Sequence, residues 1–386
     1  MLPSSFQTRG PDRWTDAVLR GARDESASAG RMTLGVLPGE GIGPEVIGAA
    51  LKVLGTVGSA TGLAFDLRTG GAIGREAETA SGRTLTEDVA EFCAGIFATG
   101  GAVLSGPGGG RFVYDLRRRF DLYCKISPLR PLDALAHAGR LKVSAVAGTD
   151  ILILRENVGG VYQGEWEERP DPAEGRLCEH RFRYGERQVR RLLDAAAGIA
   201  ARRRGQLAVV VKEGGIPGIS ALWRELGKET ASRAGVEVTF PDVDLIAYRL
   251  IQDSRAFDVI AAPNLFGDIL ADLGAVLLGS RGLSFSGNFS EAGAAVYQTN
   301  HGSARDLEGL DRANPIGQIL SLAMALRETF GLGQEAGWVE AGVTEVLRHG
   351  FRTFDIAEEG TTLVGTAEMG ERIAAAVARQ AGGAPE

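Results

Sequence analysis

Thiol and imidazole chemistry has little to draw on in this chain, which holds three cysteines and four histidines in 386 residues. Cys93, Cys124 and Cys178 are odd in number and form no Cys-x-x-Cys pair, which excludes a disulfide framework or a zinc site of the usual spacing and marks the thiols as reduced and mostly structural. No His-x-x-x-His pair exists either. Any metal ion would therefore be a hard, oxygen-seeking one such as Mg²⁺ or Mn²⁺. No apolar run approaches the ~18 residues needed to cross a bilayer. Residues 1–30 mix Arg with Asp and Glu and lack the apolar centre of a secretory signal, and the acids also argue against a transit peptide. A soluble, cytoplasmic protein without a membrane partner is expected. Residues 1–31 read as a loose extension, and Met32 stands directly before the first strand, as an alternative start would. Excess positive charge is missing too. The net charge is −7, so no nucleic-acid partner is expected, and the short basic runs Arg117–Arg119 and Arg202–Arg204 read as solvated helix faces.

What is present is apolar bulk: 44% of the residues are hydrophobic, enough for a large core and, at this length, two domains. The chain is organised around Asn264-Leu265-Phe266-Gly267-Asp268-Ile269-Leu270-Ala271-Asp272, which follows the apolar run Phe257–Ala262. The pattern predicts strand, tight turn and helix. Asp268 and Asp272 then share a helix face, where like charges repel unless something neutralises them. A divalent cation would do so. Equally, Asp268 would complement the helix N-terminus and Asp272 would be solvated.

Elsewhere the pattern alternates strand and helix. Met32–Pro38 is a strand ending in the turn Gly39-Glu40-Gly41-Ile42-Gly43-Pro44, with Pro44 at the first helical position and a buried stripe at Val46, Ala49, Ala50, Val53, Leu54 and Val57. The glycines allow close approach to a phosphate or ribose; a plain tight turn would use them as well. Leu63–Arg68 and Gly101–Leu104 continue the α/β pattern. Thr149–Leu154 is a buried strand with Arg155 at its end, placed to grip a carboxylate. Glu156–Glu165 reads as a hairpin arm, with Tyr162 either a sheet aromatic or a proton donor. Gln206–Val211 runs into Lys212, a general base or an edge-protecting lysine. A helix over Ala221–Ala234 and a strand over Val236–Phe240 lead to Asp244, which opens another helix as a possible cap.

Taken in order, Leu37–Val46, Leu116-Arg117, Arg155–Tyr162, Val211-Lys212, Asn264–Asp272 and His301–Asp306 with Asn314-Pro315 resemble the motifs of the β-decarboxylating dehydrogenases, the isocitrate and 3-isopropylmalate dehydrogenase family. The resemblance covers about residues 32–375. It implies a two-domain isopropylmalate-dehydrogenase-like α/β fold with parallel-rich sheets, one in each domain, and not a classical Rossmann fold. One domain would comprise 32–122 with 279–386, the other 123–278 with a dimerisation arm near 157–180. It implies that Asp268 and Asp272, with Asp244 of the partner subunit, hold Mg²⁺ or Mn²⁺. Lys212 of the partner subunit would take the substrate's hydroxyl proton, Tyr162 would protonate the enolate, and Arg117 and Arg155 would hold malate carboxylates. The cofactor would lie between Gly41-Ile42 and His301, Gly302, Ser303 and Asp306, with Asn314 near the adenine. Asp306 favours NAD over NADP, because a carboxylate accepts ribose hydroxyls and repels a 2′-phosphate; Arg305, where relatives carry proline, pulls the other way.

Departures from the pattern bear on the substrate. Ser127 replaces the third arginine of the carboxylate clamp, Gln298 stands where isopropylmalate enzymes have glutamate, and Glu40 replaces an aspartate. Lys125 lies two residues from Ser127, hence on the same face of an extended strand, and is expected to supply the missing charge. The Gly108–Asp115 segment, with Arg111, Phe112 and Tyr114, matches neither substrate-reading pattern. The expectation is a homodimer with shared active sites that oxidatively decarboxylates a 3-substituted malate, a small-molecule hydroxy acid outside the two standard ones. A non-catalytic regulatory subunit and a Mg²⁺-dependent phosphate-transfer enzyme are the rivals.

Overall fold

The computed structural model describes residues 13–19 and 32–383. Its strands are β1 (Met32–Leu37), β2 (Phe65–Thr69), β3 (Ala102–Ser105), β4 (Cys124–Leu129), β5 (Ile151–Glu156), β6 (Glu165–Asp171) and β7 (Gly175–Arg181). Then follow β8 (Gln206–Val209), β9 (Glu237–Thr239), β10 (Val259–Ala262), β11 (Phe285–Phe289) and β12 (Ala295–Thr299). Ten of them form one sheet in the order β2-β1-β3-β12-β11-β4-β5-β10-β8-β9. Both flanks are parallel, whereas β12, β11, β4 and β5 pair antiparallel. This mixed α/β arrangement is not a classical Rossmann sheet.

The expectation of a separate sheet in each domain is corrected. β11 pairs with β4 through Gly287↔Ile126, Asn288↔Lys125 and Phe289↔Cys124, and this seam fuses the two halves. Periodicity could not show the pairing, because β11 and β4 lie far apart in the chain. Strands from 32–122 and 279–386 fill one side of the seam, and those from 123–278 the other.

Local patterns explain the elements. β5 and β10 are buried throughout, as near-continuous apolar runs must be in a sheet covered on both faces. The helix Gly43–Thr61 takes Pro44 at its second position, one later than expected, and buries Val46, Ala49, Ala50, Val53, Leu54 and Val57, the spacing read from the sequence. It packs on the helix Thr366–Gly382, where a Cβ on Gly370 would come within 2.8 Å of Ala49 Cβ. The arm between 157 and 180 begins as the short 3₁₀ turn Val161–Gln163 and becomes a hairpin only at β6 and β7. Among the described residues no helix is long and apolar enough to cross a membrane.

Residues 13–19, within the extension expected to be loose, dock onto the body. Thr15 N donates to Glu328 Oε2 at 3.0 Å, and Thr15 Oγ1 lies 3.2 Å from the Glu328 carbonyl. Tyr123 Oη donates to Val18 O at 3.1 Å, and Arg130 lies over the Trp14 ring at 5.6 Å. The segment thus joins the helix Ile316–Glu328 on one side of the seam to β4 and its flank on the other. Hydrophobic burial of Val18 adds to it. A chain begun at Met32 removes the Thr15 N–H from the buried Glu328 carboxyl and the Thr15 hydroxyl from its backbone carbonyl, a loss that commonly costs about 1–3 kcal/mol. Its urea midpoint should fall accordingly, and an unchanged midpoint would show that the docking contributes nothing to stability.

Candidate active site

The helix Asn264–Leu278 leaves β10 through Pro263 and points its first turns at the carboxyl ends of β5 and β10. Gly267 permits the approach: a Cβ there would lie 3.0 Å from Arg155 Cβ. One turn from Asn264, Asp268 forms an ion pair with Arg155, and its other oxygen accepts from Tyr162 Oη at 2.8 Å. Burial would raise the Asp268 pKa, but Arg155, Lys125 and the Tyr162 bond outweigh it and hold the carboxylate below its usual range. Asp272, one turn on, is half exposed and pairs with Arg281 at 2.8 Å.

Three cations surround Asp268. Arg117, Lys125 and Arg155 are each no more than 4% exposed, and Lys125 stands directly opposite Arg155 across β4 and β5. Burial, then the neighbouring Arg155, brings Arg117 down to about 9. Burial, then Arg117 and Arg155, pushes Lys125 well below the ordinary lysine range. Arg117 Nε and Arg155 Nε have no hydrogen-bond partner among the described residues. Positive charge is therefore in excess in a dry place, and only anions entering the cleft can offset the cost. Ser127 is buried, opposite Ile153, on the Lys125 face of β4, as strand alternation predicted. Arg130 is engaged elsewhere, with Asp150 at 2.6 Å.

The reading of both basic runs as solvated faces is corrected in part. Arg118 and Arg119 are exposed whereas Arg117 turns inward, because the short helix Phe112–Arg119 rests on the core through Phe112 and Leu116. In the second run Arg203 pairs with the buried Asp258 at 2.7 Å.

Tyr162 sits on the 3₁₀ turn, so it is not a sheet aromatic. Burial, then Asp268, pushes its pKa upward and keeps the phenol protonated. The Tyr114 ring lies 5.1 Å from it, and Arg111 Nη2 donates to Tyr162 O at 3.3 Å. A support that sequence reasoning missed holds this turn. Glu156 accepts from Val158 N at 3.0 Å and Gly159 N at 2.7 Å, and burial pushes its carboxyl up to about 7 despite those bonds. Asn264 Nδ2 donates to Gly159 O. Tyr184 Oη accepts from Asn264 N at 3.0 Å and donates to Asn264 Oδ1 at 3.2 Å. Gly160 has φ +69°, and a Cβ there would strike Tyr184 Oη. The adjacent glycines and the Pro263-Asn264 junction were signals; Tyr184 carried none.

Lys212 and Asp244 are paired with each other rather than with this cluster. Lys212 Nζ is 2.6 Å from Asp244 and 3.3 Å from Asp242, and these acids raise its pKa, Asp244 foremost. Asp242 occupies the cap position of the helix Val243–Gln252, so Asp244 is not its cap. Among the described residues no three acidic, histidine or cysteine side chains converge as a metal site. Asp268 and Asp272 still offer hard oxygen donors on adjacent turns at the cleft, a chemistry suited to Mg²⁺ or Mn²⁺ once further oxygens are added.

On the other wall, Ile42 N donates to Ser303 O at 2.9 Å. Gly41 has φ +60°, and a Cβ there would collide with Ser303 O; the glycine turn and the His301–Asp306 loop are thereby joined. His301 Nδ1 meets Gly302 O at 2.9 Å while its inward Nε2 has no partner among the described residues. Burial lowers the imidazole pKa. Gly302 and Asp306 are exposed. Asn314 is already committed, accepting from Ile316 N at 3.0 Å and donating to Asp355 at 3.1 Å. Open backbone, an unpartnered imidazole nitrogen and an exposed carboxylate fit a dinucleotide.

The chain is similar to known proteins over most of its length. Residues 33–373 match the family model described as isocitrate/isopropylmalate dehydrogenase. The 3-isopropylmalate dehydrogenase of Carboxydothermus hydrogenoformans is 38% identical over 360 residues, 88% of this chain and 93% of that protein. That of Methylococcus capsulatus is 37% identical, covering 89% and 98%. The crystal structure of isocitrate dehydrogenase from Methylococcus capsulatus superposes with a TM-score of 0.79 at 29% identity, over 90% of this chain and 99% of that one. The TT0538 protein from Thermus thermophilus, at 24% identity and a TM-score of 0.77 over 94% of this chain and 71% of that one, shares the fold.

Tyr184→Phe tests the turn's support. It deprives the Asn264 N–H of its acceptor, and an unsatisfied buried donor costs about 1–3 kcal/mol. The urea midpoint should drop with an unchanged slope; no drop would mean the hydroxyl does not secure the turn.

Proposed function

Because the chain belongs to the isocitrate/isopropylmalate dehydrogenase family, we propose that it carries out NAD- and Mg²⁺- or Mn²⁺-dependent oxidation and decarboxylation of a 3-substituted malate. The observation that carries this reading is the buried surplus of cations at Arg117, Lys125 and Arg155 beside Asp268 and Tyr162. A dicarboxylate with a 2-hydroxyl matches that charge.

The metal would be held by Asp268 and Asp272 with Asp244 of the partner subunit, and the dinucleotide by Gly41, Ile42, His301, Gly302, Ser303 and Asp306. When bound, the metal ion would supply Lewis-acid polarisation of the substrate's oxygens, and the dinucleotide would supply the acceptor for the hydride leaving C2. Arg117, Arg155 and Lys125 bind and orient the carboxylates. Lys212 of the partner subunit takes the hydroxyl proton; in the single chain Asp244 and Asp242 hold it protonated, so this work requires that its pairing with Asp244 be broken. After loss of CO₂, Tyr162 gives its proton to C3; burial and Asp268 keep the phenol protonated until then.

Sharing of sites in a homodimer is supported by an exposed apolar row. Leu245 and Tyr248 on the helix Val243–Gln252, and Ile269 and Val276 on the helix Asn264–Leu278, are all exposed. The two helices pack together, and they carry Asp244, Asp268 and Asp272. A second copy seated there would bury the row and bring Asp244 and Lys212 toward the opposite cleft.

Lys125 and Ser127 set the substrate. Moving the cation two residues along β4 displaces it by about 6–7 Å, so isocitrate and 3-isopropylmalate should both be poor substrates beside another substituted malate. In a panel of such malates followed by NADH absorbance, turnover should need Mg²⁺ or Mn²⁺, and Lys125→Ala should lower kcat/KM by about 100-fold. Efficient turnover of either standard substrate, untouched by Lys125→Ala, would overturn the substrate reading; turnover in excess chelator would overturn the metal.

Subunit mixing tests the sharing. Lys212→Met and Tyr162→Phe proteins, each impaired alone, should regain activity when their subunits exchange, since some heterodimers hold one intact site. No recovery after verified exchange would argue for sites within one chain.

A further inference from the structure

Arg305 precedes Asp306 on the short 3₁₀ helix Arg305–Leu307, and a free guanidinium beside a ribose would be the natural ligand of a 2′-phosphate, whose oxygens match its planar fork. The side chain is not free. Arg305 Nη2 donates to Glu40 Oε2, with Glu76 a further 3.8 Å contact.

Glu40 is an unusual partner, because its side chain is 0% exposed. Its other oxygen, Oε1, accepts from Gly109 N and, at 3.2 Å, from Arg75 N. The cradle is built of glycine: a Cβ on Gly74 or on Gly109 would run into that same oxygen. A carboxylate this enclosed needs its cation, since removing the partner leaves an uncompensated buried charge. The pairing therefore fixes Arg305 more firmly than a surface ion pair would. Arg305 itself is half exposed, so the guanidinium could reach solvent if released.

Resting on the NAD reading above, we propose that Glu40 determines coenzyme choice through Arg305. By holding the guanidinium in its buried cradle, Glu40 withholds the cation that directly precedes Asp306 and would attract a 2′-phosphate, and the Asp306 carboxylate is left to select the unphosphorylated ribose. Glu40 touches no coenzyme in this scheme; it is a positioning residue.

The test uses the full-length protein and equilibrium binding, read from the fluorescence of NADH and of NADPH. Glu40→Gln keeps an oxygen for the Gly109 and Arg75 amides and replaces the anion facing Arg305 with an amide donor. NADPH affinity relative to NADH should rise by about tenfold or more, the scale of one hydrogen bond to a charged group. Adding Arg305→Gln to Glu40→Gln should return the ratio to its original value, which a merely structural role for Glu40 would not do. Glu40→Asp, one methylene shorter and bearing the family's usual residue, should shift the ratio in the same direction by less and guards against a misfolded Glu40→Gln protein. An unmoved ratio in variants that still bind NADH would overturn the proposal, as would a gain that survives Arg305→Gln. Failure of the unaltered protein to bind either dinucleotide would instead sink the NAD reading, and the proposal with it.

Discussion

Three buried cations facing one partly exposed carboxylate set the terms for the rest of this molecule. Arg117, Lys125 and Arg155 come from a short helix and two neighbouring strands, and holding them together against their own repulsion requires a rigid frame. The antiparallel centre of the sheet supplies it by placing Lys125 and Arg155 directly opposite. Gly267 then lets the Asn264–Leu278 helix close enough for Asp268 to bridge to Arg155 and Tyr162. The arrangement is unbalanced until an anion arrives, which is the basis for the dicarboxylate substrate proposed above.

On the proposed reading the cluster is half a site. Lys212 pairs with Asp244, and the exposed apolar side chains on the two helices that carry the aspartates are where the proposed second copy would seat and complete both clefts. The same feature that spoils Lys212 as a base in one chain, its contact with Asp244, is the contact that assembly would have to exchange.

Local order was legible in the sequence. The strand and helix flanking Pro263, the buried stripe behind Pro44, and the shared face of Lys125 and Ser127 all follow from periods of 3.6 and 2. The family's ordered motifs carried the rest of the site by resemblance. What stayed hidden joins residues far apart in the chain: the β11–β4 seam, Arg117 turned inward from an apparently solvated run, and Glu40 clasping Arg305. Each depends on which surface a segment meets, and composition within a window does not encode that. Tyr184 beneath the Gly159-Gly160 turn is the same case, an aromatic with only Phe182 for apolar company in a polar stretch.

The docking of Thr15 on Glu328 spans 313 positions of the chain. During synthesis at ~5–20 residues per second, Thr15 leaves the ribosome roughly 15–60 s before its acceptor exists. The segment lies on the helix Glu186–Ala201 of one half as well as on Glu328 of the other, so both attachments are complete only once the halves have met. Its bonds to Glu328 then belong to the late side of the folding barrier. Strengthening them should slow the opening of the finished protein while leaving the speed of its formation nearly untouched.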